Sequence, residues 1–374
     1  MKKKWGLLLI LLLSLLPRTA FAAETADAIC IEGETEGLDT DAVDAAAEEM
    51  DAAVSFSDLL AEILSGEFDF TFANIREKVS ELMFGELRMQ GRLLAQLVLI
   101  VILSAILKQC SDSFQGKNVG EMGFYVCYMV LIVAILTSFY SISQSVVERM
   151  RGLCGVFGAM VPIFLVLSAS SGNLAQGALM GPTLMGGATA LSVGISYVLI
   201  PAIQLSIALE MADHISEKPI LGKFAELLRQ CISWGMKGAA MLFMLLLSLQ
   251  KIGGGALNGL AAKTVKIAVG AVPVVGGVMG GAVETAAAMA GTLKSGTLVA
   301  AVVLLLLLCL PLLIKLLVIL LVFRLTAAAA EFICEERLVE CIAAAGEYIG
   351  LLLGIVFLGE GMFFFSALLL LGGL

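Results

Sequence analysis

The chain has 374 residues, 60% of them hydrophobic, with a mean hydropathy of +1.00, well beyond the roughly 45–50% apolar content of a soluble globular chain. Its net charge of −9 is unevenly spread: between Glu24 and Glu86, 18 acidic residues face only Arg76 and Lys78, with Arg88 just beyond. A packed water-soluble core is excluded, and the pattern is that of an acidic extramembrane head followed by a near-neutral membrane body.

The N-terminus has the three parts of a secretory leader. Lys2, Lys3 and Lys4 form a positive start, residues 5–16 an apolar stretch, and Ala20-Phe21-Ala22 a small-x-small cleavage pattern after Pro17. The apolar stretch is shorter than the roughly 20 residues that cross a bilayer. Residues 1–22 are therefore expected to be a signal peptide, cleaved after Ala22, with an uncleaved anchor as the alternative. Either way the head is on the far side of the membrane. Residues 23–91 form that exported acidic region, and 92–374 the multispan domain.

Within the head, the acidic composition of residues 23–50 predicts a flexible segment, with order beginning near Phe56. Asn74 and Glu77 have capping-box spacing, and Ile75, Val79, Leu82, Met83 and Leu87 follow at helical spacing. That helix lies on the membrane interface or packs on the head.

Uninterrupted apolar length predicts seven spans, at about 93–109, 122–143, 153–171, 184–208, 232–250, 297–320 and 348–371. An eighth segment, 264–283, is broken by Pro273 and several glycines; it crosses, or enters and returns shielded by other helices. Seven spans give internal loops carrying Lys108, Lys117, Lys251, Lys263, Lys266 and Lys294. The external loops carry Arg149, Arg151, Lys218, Lys223, Arg229, Lys237, Arg324 and Arg337. This split has no positive-inside bias, so the orientation of the later loops stays open. Between the fourth and fifth runs, Pro219 opens an amphipathic helix with Ile220, Leu221, Phe224, Leu227 and Leu228 on one face and Lys223, Glu226 and Arg229 on the other. Its place is the membrane surface or a partner subunit.

Glycine spacing is the strongest local signal. GxxxG matches occur at Gly177–Gly181, Gly255–Gly259, Gly276–Gly280 and Gly277–Gly281, and Gly346, Gly350 and Gly354 continue the pattern over two turns. Such flat stripes let helices approach closely within one bundle, between copies, or against another subunit. Four ionisable residues lie in apolar surroundings: Glu284, Lys315, Glu347 and Glu360. A charge at mid-bilayer costs at least about 2.5–3.5 kcal/mol, so each needs a partner, water or an interfacial position. Lys315 can snorkel, while Glu347 and Glu284 stand at segment edges; Glu360, in Leu-Gly-Glu-Gly-Met, is the deeply placed one.

Catalytic and cofactor signals are few. The eight cysteines are scattered without a CxxC pair, which argues against a disulfide framework or zinc site. His214 is the single histidine, so histidine-based metal or triad chemistry is hard to build. No Walker motif and no basic, aromatic-interleaved surface is present, which leaves no basis for ATP hydrolysis or nucleic-acid binding. The expectation is an all-α, polytopic helical membrane protein, non-enzymatic and without a cofactor.

The segment from Val272-Pro273-Val-Val-Gly276-Gly277 to Glu284, then Leu293-Lys294, Cys309-Leu-Pro311 and Lys315, resembles the stage III sporulation protein AE family in order and spacing. The amphipathic linker of residues 215–229 and the Met362-Phe-Phe terminal span fit as well. The resemblance implies a polytopic subunit of a secretion-like channel between mother cell and forespore, required for late forespore development. It implies residence in the mother-cell membrane around the forespore, a head facing the intermembrane space, and the other channel subunits as partners. It carries over no active-site residues. The residues themselves leave two other readings open: a self-contained ion-coupled transporter or permease using Glu360 and Lys315, and a membrane scaffold without a conducting path.

Overall fold

The computed structural model describes residues 40–52, 54–65, 72–113, 117–170, 185–215, 221–245 and 276–372, and every regular element in them is helical. Residues 1–39, the expected signal peptide among them, lie outside the described residues.

The head begins with α1 (Asp41–Glu48) and α2 (Phe56–Ser65). The expectation of flexibility up to residue 50 is corrected from Asp41 onward, because Val43, Ala47 and Met50 find apolar cover. The segment between the helices is fixed locally. The Asp51 amide donates to the Glu48 carbonyl (2.9 Å) and the Ala52 amide to that of Ala47 (3.1 Å), with Asp51 at φ 57°. That pattern is a left-handed helix stop, a conformation that Asp tolerates better than most side chains. Asp44 then accepts the amides of Phe56 and Ser57, and Ser55 Oγ that of Asp58 (3.1 Å), so α2 is capped from two sides.

Helix α3 (Phe72–Met89) starts two residues before the expected cap, placing Asn74 inside its first turn. A 47° bend at Gln90 leads into α4 (Gly91–Ser113), the first apolar run. Leu82 and Glu86 turn toward the body while Met83, Phe84 and Leu87 face out.

Two elements depart most from the run-by-run expectation. Helix α5 (Lys117–Ser170) is continuous for 54 residues, joining the runs 122–143 and 153–171 across Glu148, Arg149 and Arg151. Helix α8 (Gly276–Ala330), of 55 residues, carries the glycine-rich stretch from Gly276 directly into the 297–320 run. At 1.5 Å per residue each is about 80 Å long. A hydrocarbon core of about 30 Å accommodates one crossing and a long extension. The charges in the middle of α5 do not break it because a helix satisfies its own backbone, and a loop is not needed to accommodate three polar side chains.

Helix α6 occupies residues 185–215 and contains a π-turn at Ile195–Leu199. Pro201 follows after Ile200; without an N–H, and with a ring that displaces the carbonyl one turn back, it favours such a widened turn. Helix α7 occupies residues 222–245, and α9 (Glu336–Gly372) closes the chain. Among the described residues four helices are long and apolar enough to cross a membrane, or five if the bent α3–α4 pair counts as one span. Residues 264–275 lie outside the described residues.

Helices α8 and α9 form the central hairpin, against which α5, α6 and the head pack. Of the most apolar stretch in α8 and in α9, 61% is buried, against 44% in α5 and α6, which marks the hairpin as the interior. Small residues set its spacing: a Cβ on Gly346 would lie 3.4 Å from Phe323 Cβ, and one on Gly350 would lie 3.9 Å from a Leu320 methyl. Gly354 faces Met236 of α7 instead, at 3.2 Å. Phe157 and Phe363 add an aromatic contact between α5 and α9 at 5.7 Å. The side-chain surroundings of Gly276, Gly277, Gly280 and Gly281 lie outside the description.

Replacing Gly346 with Leu is expected to overpack the hairpin and cost about 1–3 kcal/mol. Thermal denaturation of the purified protein in detergent would register it as a lowered Tm, whereas Gly238→Leu, with nothing near its Cβ position, should leave Tm almost unchanged. Asp51→Val should cost about 1–2 kcal/mol by placing a β-branched residue in the left-handed position. Asp51→Gly should be tolerated in the same assay.

Candidate functional site

The bundle holds two polar centres. The first ties α6, α7 and α9 together. Arg229 of α7 lies between two carboxylates: its Nη2 is 3.1 and 2.8 Å from the two oxygens of Glu210 on α6, and its Nη1 is 2.6 Å from Glu347 Oε2 on α9. The guanidinium also stacks 4.8 Å from the ring centroid of Tyr348. The Tyr348 hydroxyl donates to Glu210 Oε2 at 2.5 Å, and Ser206 lies 2.8 Å away while donating to the Ala225 carbonyl at 3.0 Å. Burial works against the Arg229 charge, yet Glu210, with Tyr348 and Glu347, outweighs it and holds the guanidinium above its ordinary pKa. Such a network fixes three helices in rotation and depth, since a charged hydrogen bond in a poorly hydrated place tolerates little misalignment.

The cluster changes the expected facing of α7 at Arg229, while Lys223 and Glu226 stay exposed. Ala225 and Ile232 are buried and Arg229 points inward, while Leu221, Phe224 and Leu227 are 40–54% exposed. The carboxylates of α6 and α9 draw Arg229 inward, and much of the apolar side stays outward. The helix then continues without interruption into the next apolar run, where Trp234, Met241 and Leu242 remain exposed. Asp213 supports its start by accepting the Leu221 amide at 2.8 Å. Gly222 is needed there, since any Cβ would meet the Asp213 carboxylate.

The second centre surrounds Glu360 of α9. The residue is 4% exposed, and neither carboxyl oxygen has a hydrogen-bond partner. Arg149 of α5 bears on it electrostatically. Arg149 nevertheless points its Nη1 at the Met50 carbonyl of the head, 2.7 Å away. The left-handed stop at Asp51 turns this carbonyl outward at the end of α1.

Of the four polar residues singled out in sequence, Glu347 joins the first centre and Glu360 forms the second. Lys315 is half-buried on α8. Glu284 lies on α8 with its side chain outside the description. The sequence reading missed Glu210, Tyr348, Ser206 and Arg149. Glu210 carried a usable signal, an acid in the apolar stretch Ile207-Ala-Leu-Glu-Met211, two residues past the run where the search ended. Among the described residues no cluster of metal-ligating side chains occurs, and the described cysteines are unbridged.

Apolar helices of spanning length around a buried hairpin define an all-α polytopic membrane protein. The sequence model of the family described as Stage III sporulation protein AE matches residues 54–373, and the chain belongs to that family. A protein of that name from Bacillus subtilis (strain 168) is 26% identical over 227 residues, covering 60% of this chain and 57% of the relative. The chain thus aligns with a little over half the length of that curated relative. No solved structure matches.

Replacing Arg229 with Met should leave Glu210 partly buried without its cation and cost about 1–3 kcal/mol. Arg229→Lys should recover only part of this, because one ammonium cannot bridge both carboxylates in the guanidinium geometry. Thermal denaturation in detergent, compared among the three proteins, checks both expectations.

Proposed function

We propose that this protein is a non-enzymatic integral-membrane subunit of the multiprotein channel linking mother cell and forespore, required for late forespore development. The observation that carries this reading is the family match itself, which extends from the docked part of the head through the last helix. A sporulation role follows from the family; the channel role is the finer step. Two physical features support a subunit rather than a solitary protein. Helix α7 presents Phe224, Leu227, Trp234, Met241 and Leu242 outward, and the α8–α9 turn carries Phe332 at 89% and Ile333 at 57% exposure. A turn tip with two large exposed apolar side chains among Glu331, Glu335 and Glu336 is chemistry suited to a protein partner.

In this reading the chain resides in the mother-cell membrane around the forespore, and its acidic head meets partner proteins in the intermembrane space. In the same reading, the glycine stripe at the start of α8 would contact another subunit or another copy. A second reading, an ion-coupled permease, rests on one specific observation: the buried, unpartnered carboxyl of Glu360.

Deleting the gene and complementing it with wild type, Phe332→Asp and Glu360→Gln separates these readings. A channel subunit is expected to show loss of a late forespore reporter and loss of co-purified membrane partners with Phe332→Asp, while Glu360→Gln keeps the partners. Retained partners and a normal reporter with Phe332→Asp would count against the proposed contact at the turn. Normal late forespore expression in the deletion strain would sink the channel role.

A further inference from the structure

Helix α7 has an inner and an outer face. On the inner one, Arg229 reaches Glu210 and Glu347, and Ala225, Ile232 and Phe243 are buried. A Cβ on Gly235 would lie 3.3 Å from Leu199 of α6, and one on Gly354 of α9 would lie 3.2 Å from Met236. These contacts, spread along the helix, align α7 with α6 and α9 and fix its rotation.

The outer face is a single seam. Phe224, Leu227, Cys231 and Trp234 are exposed, and Gly238, Met241 and Leu245 continue the line to the last described residue of α7. The intervals are 3, 4, 3, 4, 3 and 4 residues, three heptads without a break. A straight helix drifts about 20° per heptad away from such a line, so a strict 3.5-residue repeat marks a surface that follows a second helix. Lipid accepts any apolar surface and sets no such spacing. Nor does it reward Gly238, whose Cβ position has nothing within 4 Å and which costs about 1 kcal/mol of helix propensity relative to alanine. Trp234, the largest side chain of the seam at 73% exposure, stands one turn before that vacancy.

We propose that the occupant of this seam is a second copy of the chain, held through a parallel α7–α7 pair. A two-fold axis relating copies inserted in the same sense lies along the bilayer normal, so each seam residue faces its own counterpart. The seam is self-complementary. Each copy supplies a knob, Trp234, and a hole floored by Gly238, and each knob enters the hole of the other. Lys223 and Lys237 flank the seam where the opposing helix brings Leu228 and Leu242, so no like charges meet across it. Counting large side chains at about 150–250 Å² each, the exposed parts of Phe224, Leu227, Trp234, Met241, Leu242 and Leu245 offer on the order of 700 Å² per copy, near the roughly 800 Å² per partner of a standard stable interface. The pair rests on the reading of this outer face as a protein contact and does not depend on the channel role.

The test uses the full chain with Cys231 as its one retained cysteine, reconstituted into phospholipid vesicles without other sporulation proteins. Copper phenanthroline oxidises thiols that meet, and disulfide-linked dimer is scored on non-reducing gels. In the cysteine-free chain, Phe224→Cys, Leu227→Cys, Met241→Cys and Leu245→Cys extend the seam, while Ser233→Cys of α7 and Leu321→Cys of α8 lie off it. Dimer is expected to form several times faster at the seam positions than at either control, and to persist on dilution with added lipid. Gly238→Leu, which leaves the bundle's own packing untouched, should cut the Cys231 crosslink severalfold while the Tm in detergent stays unchanged. Equal rates at Cys231 and Leu321→Cys, no dimer at any seam position, or a Cys231 crosslink indifferent to Gly238→Leu would overturn the pair. The channel role stands or falls separately, on the late forespore reporter in the deletion strain.

Discussion

Scarcity of countercharge governs the interior of this bundle. Where water is thin, a charged side chain must find an opposite charge or shed its own, and a few such pairings decide how the helices face. Arg229 shows this most plainly. Two carboxylates from different helices fix its position, and α7 rotates accordingly, leaving its oily side outward. The phenol of Tyr348 completes the arrangement by serving Glu210 and supporting the guanidinium face. Apolar packing supplies the bulk of contact between α8 and α9, but dispersion alone tolerates sliding and rotation. Charged hydrogen bonds select one register from those possibilities.

Class and approximate helix positions were legible in the sequence because apolar length is a direct physical requirement for crossing a bilayer. Helix continuity was harder to read. The pause at Gln144–Gly152 looked like a loop because it contains Glu148, Arg149 and Arg151, yet the backbone stays helical, with Arg149 turned to the head, Arg151 near Tyr197 of α6 and Glu148 exposed. Hydropathy reports what a segment would prefer against lipid and says nothing of a polar residue covered by another domain. The same blindness explains the ambiguous orientation. Of the eight cations assigned to external loops, Arg149, Arg151, Lys223, Arg229, Lys237, Arg324 and Arg337 all lie within helices. A loop-charge rule cannot use charges that are not on loops.

The site residues divide along a similar line. Glu360 was identifiable because an acid flanked by Leu-Gly and Gly-Met is anomalous in an apolar run, and its burial needs no partner to be noticed. Glu347 was noticed, but its meaning depended on Arg229, more than a hundred residues away and assigned to a solvent face. Arg149 was invisible as a linking group, since its contact is with a main-chain carbonyl. Such a contact leaves no trace in the identity of Met50 and little in that of Asp51.

The continuous length of α5 has a mechanical consequence. An unbroken helix behaves as a stiff rod, so a tilt of about 5° at its middle displaces an end some 40 Å away by about 3–4 Å, and the two ends move in opposite directions. Arg149 lies near that midpoint, directly beneath the head. A small rearrangement there would be delivered, magnified, to both ends of the helix through a single lever.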